Sequence, residues 1–95
     1  MKSHLKHFNC NRQMLLNAIY DFVDEKHFIM EGVNSRKGIM NLKDGTEIMQ
    51  IYIEQSDITK RQILRIVSIE DTENAQIKIE EIFMGVEGLL GGGMT

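Results

Sequence analysis

The apolar residues of this chain change their spacing twice, and that change limits the folds open to it. From Asn11 onward, Met14, Leu15, Ala18, Ile19, Phe22 and Val23 follow the i, i+3, i+4, i+7 pattern that gives a helix one apolar stripe. The opposite side carries Arg12, Gln13, Asn17, Asp21, Asp24 and Glu25. This predicts a helix over residues 11–26, capped by Asn9 or Asn11.

The period then falls to two. Runs rich in β-formers, HFIMEGV (27–33), IMNL and EIMQIYIE (47–54), are separated by NSRKG and KDGT. Asp44-Gly45 supplies the positive φ of a tight hairpin, and Asn34 to Gly38 is a longer turn of the same kind. In the run 47–54, Met49, Ile51 and Ile53 share one face while Ile48, Gln50 and Tyr52 share the other. A fourth strand is expected from about 62 to 70, where Ile63, Ile66, Val67 and Ile69 enrich the segment in β-branched residues. Helical spacing returns at Ala75, Ile79, Ile82, Phe83, Val86 and Leu90, with Thr72 as the cap. The expected fold is therefore α+β: a four-stranded antiparallel meander flanked by an N-terminal and a C-terminal helix, in the order αββββα.

Residues 1–90 read as one domain, and residues 91–95 as a flexible glycine-rich tail. Gly85, Gly88 and Gly91 recur every third residue, which allows two readings of the chain end. Either the helix frays after Met84, or the glycines let a neighbouring backbone approach closely.

Composition narrows the class. Apolar residues make up 42% and charged residues 26% of the chain, the balance of a globular domain. No apolar run approaches the ~20 residues of a membrane span, and Lys2, His4, Lys6 and His7 do not resemble a secretory leader. A single cysteine, Cys10, makes no internal disulfide and suggests a reducing, cytoplasmic setting. The net charge of −3 is divided unevenly: residues 1–43 hold seven Lys/Arg against four Asp/Glu (+3), and residues 44–95 hold four against ten (−6). Such an acidic C-terminal half disfavours nonspecific nucleic-acid binding and favours a basic partner.

Few residues suggest chemistry. HLKHFNC spaces His4, His7 and Cys10 three apart, three good ligands for zinc or a similar ion. On a helix they would just converge; on a strand His7 would point away from the other two. The spacing matches no established zinc pattern, and no cofactor is expected. A nucleophilic Cys10 paired with a histidine would need a base and an oxyanion hole that nothing in the sequence predicts, so the thiol reads as structural. Glu80 and Glu81 are adjacent and diverge on a helix, and the phosphate-loop, dinucleotide, zincin and EF-hand motifs are absent from the sequence. No enzyme is expected.

Two basic clusters, Arg36-Lys37 and Lys60-Arg61 with Arg65, offer nucleic-acid binding as an alternative. Against it stands the lack of stacking platforms: four Phe lie on apolar stripes, leaving Tyr20 and Tyr52. Methionines Met14 and Met49 read as core, while Met30 and Met40 are weighed between core and an adaptable surface.

The functional expectation is a small acidic interaction protein, an adaptor, inhibitor or chaperone-like binder. Glu73, Glu80, Glu81 and Glu87 would steer it to a basic protein partner, and Met84, Leu89 and Leu90 would supply apolar contact. A sharper form has the acidic helix imitate nucleic-acid phosphate. A half-covered sheet with apolar residues on both faces further suggests a homodimer.

Overall fold

Asn11 opens the first helix: its side-chain Oδ1 accepts the Met14 N–H at 2.8 Å. The computed structural model describes residues 3–26, 28–45, 47–70 and 72–91. These form β1 (Ser3–Phe8), α1 (Arg12–Lys26), β2 (Ile29–Asn34), β3 (Ile39–Asp44), β4 (Glu47–Gln55), β5 (Gln62–Ser68) and α2 (Glu73–Leu89). The fold is α+β, with every strand pair antiparallel and the sheet order β1-β5-β4-β3-β2.

The expected four strands in the order αββββα are therefore corrected to five in the order βαββββα. The added strand is β1, which pairs with β5 so that Ser3 lies opposite Val67 and Phe8 opposite Gln62. Its partner is distant in sequence, and no local turn signal announces such a pairing. The remaining strands form the expected meander. Gly45 adopts φ +63° beside Asp44, which pairs with Glu47. Gly38 adopts φ +70° where its carbonyl accepts the Ile53 N–H at 2.7 Å, and a Cβ there would lie 2.8 Å from the Ile53 carbonyl oxygen.

Both helices lie on one sheet face. That face is built from Met40 and Leu42 of β3, Met49, Ile51 and Ile53 of β4, and Leu64 and Ile66 of β5, all buried. Helix α1 brings Leu15, Leu16, Ala18, Ile19, Phe22 and Val23, and α2 brings Ala75, Ile79, Ile82 and Val86. Each large aliphatic side chain so buried contributes about 1.5–3 kcal/mol. Met49 and Met40 are core, and Met30 packs half-buried against it. Met14 is not core but 45% exposed. At 100° per residue the buried stripe is centred between Leu15 and Leu16, and Met14 falls roughly 120° away; Leu16 takes the place expected of it.

Thr72 caps α2 in an extended conformation (φ −99°, ψ 160°), its Oγ1 accepting the Ala75 N–H at 3.0 Å. Two ion pairs tie α2 to the sheet: Lys78 to Asp44 at 2.7 Å near its start, and Glu87 to Lys6 near its end. The hydrogen bond and charge of Asp44 hold the Lys78 ammonium above the ordinary lysine range. The glycines do not end the helix at Met84. Helix α2 continues to Leu89, and the Leu90 N–H still reaches the Val86 carbonyl at 3.0 Å. Gly85 sits against α1, where a Cβ would overlap the edge of the Phe22 ring. The expected tail begins at Gly91, a turn residue; residues 92–95 lie outside the described residues. No helix among the described residues is long and apolar enough to cross a membrane.

The two helical glycines separate packing from propensity. Gly85→Ala drives a methyl into the Phe22 ring and is expected to destabilise by about 1–3 kcal/mol, whereas Gly88→Ala meets no atom within 4 Å and should be neutral or stabilise by up to about 1 kcal/mol. Thermal melts followed by circular dichroism read both, and equal shifts for the two variants would contradict the close crossing.

Candidate functional site

Helix α2 has one buried side, so its other side is fixed by geometry. Glu73, Ile77, Glu80, Glu81 and Met84 fall within a stripe about 100° wide, directly opposite the buried residues. All five are exposed, Ile77 by 55% and Met84 by 72%. The stripe thus places two apolar side chains, two turns apart, among three carboxylates. Glu73 also sits in the first turn, where a carboxylate suits the positive end of the helix dipole.

The other expected partner-binding residues divide. Glu87 is half-buried and committed to Lys6, so its charge fastens β1 to α2. Leu90 packs against the core, and Leu89 remains 45% exposed at the helix end, outside the stripe. Ile77 is the residue that sequence reasoning missed; its seven-residue spacing from Met84 was the available signal. Where β1 meets α2, Leu5, Lys6, Glu80, Phe83 and Met84 line a shallow depression continuous with the stripe.

The second surface is the sheet face that neither helix covers. Register places Leu5, Arg65, Tyr52 and Ile39 in one row across β1, β5, β4 and β3. A neighbouring row is Ser3, Val67, Gln50, Asn41 and Glu31, and Glu54 lies opposite Ile63. Ile48 lies opposite Lys43, which lies opposite Ile29. Ile69 extends the face beside Ile48, whose carbonyl accepts its N–H at 3.0 Å. Leu5, Ile29, Ile48 and Ile69 are 42–55% exposed. Tyr52 is half-buried at the middle, its hydroxyl donating to Gln50 Oε1 at 3.1 Å, and Arg65 Nε lies 2.8 Å from Glu54 Oε1.

The basic residues gather differently from either surface. Arg36 and Lys37 sit in the β2–β3 turn, and Lys60 and Arg61 in the β4–β5 loop. Antiparallel pairing brings both loops to one end of the sheet, and Gly38 touches Ile53 there. Arg12 joins them: its guanidinium donates to the Ser35 and Arg36 carbonyls at 2.6 and 2.9 Å, which pins the turn to α1. Arg65 does not belong to this group, since it lies along the bare face and pairs with Glu54.

HLKHFNC adopts the extended form that separates its ligands. Within β1, His4 shares the helix-covered side with Phe8, while His7 faces the other way, opposite Ile63. Cys10 follows in a bend, half-buried against the core. Among the described residues no three His, Cys, Asp or Glu side chains come together as a metal site would require. The remaining histidine, His27, lies outside the described residues. Burial pushes the Cys10 thiol above its ordinary pKa, which leaves less thiolate at neutral pH. Alkylation of Cys10 by iodoacetamide at pH 8 is accordingly expected to run slower in the folded chain than in the same chain in denaturant; equal or faster reaction when folded would mean an activated thiol. No protein-family model matches the chain and no curated protein matches it, so its own residues carry the functional reading.

Proposed function

We propose that this chain is a small acidic protein-interaction module, an adaptor, inhibitor or chaperone-like binder with no chemistry of its own, that engages a partner with a basic surface through the outer side of α2. One observation carries the reading: Glu73, Glu80 and Glu81 flank Ile77 and Met84 on a side of the helix that the fold itself does not use. Exposed carboxylates attract and orient a cationic surface, chiefly by raising the rate of encounter. Desolvated apolar anchors then supply affinity, and methionine adapts its shape to the partner at little strain. In the sharper form of this reading the carboxylates stand in for phosphates and compete with nucleic acid for a basic protein. The proposed setting is the cytoplasm, in keeping with a single half-buried thiol, and the proposed working state is a homodimer.

A second reading, nucleic-acid binding, draws on the meeting of Arg36, Lys37, Lys60 and Arg61 at one end of the sheet with Arg12 beside them. Its weakness is the lack of a stacking platform among the described residues there: Tyr20 on α1 is the single aromatic lining the depression that Arg36 shares with Arg12, Gln13 and Leu16.

Fluorescence anisotropy with a labelled lysine-rich peptide tests the first reading. Binding should weaken steeply with salt, vanish in the Glu80→Lys/Glu81→Lys variant, and fall roughly tenfold in Met84→Ala, the effect of losing one partly buried apolar side chain. The melts of both variants should be unchanged, because the side chains are exposed. Peptide binding that survives the charge reversal would reject the acidic stripe. A labelled single-stranded oligonucleotide serves the second reading: binding that is lost in Lys60→Glu/Arg61→Glu but kept in the α2 variant would replace the first.

A further inference from the structure

We infer that the bare sheet face is where a second copy of this chain docks, face to face about a two-fold axis, with the two α2 helices on the outside. Charge is the first argument. The face carries Lys43 and Arg65 against Glu31 and Glu54, so its formal charge is 2 − 2 = 0, while the whole chain is at −3. A neutral surface has no electrostatic preference for the basic partner that α2 would attract, and two copies of it meet without repulsion. The acidic stripes lie on the far side of each chain and stay apart in such a pair.

Composition gives the second argument. Tyr52 and Arg65 are opposite each other at the centre, and tyrosine and arginine are among the residues enriched where interfaces hold most of their energy. Leu5 and Ile39 lie beside them in the same row, with Ile63 and Val67 in the rows on either side, and the Arg65 guanidinium is ion-paired to Glu54.

Size is the third. Five strands spaced about 4.8 Å apart, with six or more residues rising about 3.3 Å each, cover roughly 24 by 20 Å in plan. Side-chain relief brings this near the ~600 Å² per partner at which specific interfaces begin. Two twisted sheets stack in this way in sandwich folds, about 10 Å apart. The β2 edge is less suited to pairing with another chain. Its register shifts between Glu31 and Asn34, Gly32 turns to φ +56°, and five of its six residues are exposed, among them a glycine and two polar side chains.

A dimer of this geometry presents two acidic stripes in opposite directions and so engages two basic partners or one partner with two basic sites. That consequence rests on the α2 reading; the dimer itself does not. Sedimentation velocity on the full chain across a concentration series, up to about 100 µM, reads the association. The expected result is a monomer–dimer equilibrium that Tyr52→Asp and, separately, Ile63→Lys shift to monomer with their circular dichroism retained. Hydroxyl-radical footprinting of the unmodified chain gives an independent readout, because the chain has two tyrosines. Tyr52 should become protected as concentration rises, while Tyr20 on α1 should not. A wild-type monomer at the highest concentration, a dimer that survives both variants, or protection of neither tyrosine would overturn the inference. A monomer that still binds the lysine-rich peptide would overturn this inference alone, and a dimer that does not bind it would overturn the α2 reading alone.

Discussion

The contact between Phe22 and Gly85 decides how this small chain distributes its surfaces. Two helices and five strands have to share one core, and both helices lie on the same face of the sheet. Neighbouring helix axes ordinarily sit about 8–10 Å apart, so two of them nearly fill the roughly 24 Å width of a five-stranded sheet. The aromatic ring of α1 fits at that crossing because α2 offers no Cβ. With the helices side by side the covered face is complete, and the opposite face has nothing left in the described chain to cover it.

Three electrically different regions follow from this arrangement. The end of the sheet that holds Arg12, Arg36, Lys37, Lys60 and Arg61 is basic. The outer side of α2 is acidic, and the bare face is neutral with isoleucines about Tyr52. The charge imbalance between the halves of the sequence is thus converted into separation in space. Part of the acidic half is used internally, through Asp44 to Lys78 and Glu87 to Lys6. Partly exposed pairs of this kind are screened by solvent and contribute modestly to stability, and their clearer effect is to fix where α2 begins and ends on the sheet. Among the described residues Glu73, Glu80 and Glu81 of the stripe form no ion pair, and theirs is the charge that the proposed recognition would use.

Most of the fold was legible because its signals are local. The Asn11 and Thr72 caps, the Asp44-Gly45 turn and the period-two run from Glu47 all depend on residues within a few positions of one another. Strand β1 was not legible, since it is held by β5 from the other end of the chain and its inward positions include His4 and Lys6 rather than apolar residues. Lys6 can face the covered side because Glu87 meets it there, a partner that sequence spacing does not reveal. For the same reason HLKHFNC left helix and strand open, and with them the alternative of a metal site, until the pairing with β5 fixed the strand and sent His7 away. In α2 the carboxylates were readable and the buried side was readable, yet the complement of that side, with Ile77 beside Met84, needed the helix to be continuous through Gly85. The glycines there admitted two readings; the helix continues past Met84, and what Gly85 admits is the ring of Phe22 rather than a neighbouring backbone.

One layer of helices leaves two surfaces uncovered, and we propose a second copy for the neutral sheet face and a basic partner for the acidic helix. Native mass spectrometry of the full chain mixed with a lysine-rich peptide tests both parts in a single spectrum. The expected spectrum shows a complex of two chains carrying two peptides. A spectrum containing only the single chain, with no peptide attached, would contradict it.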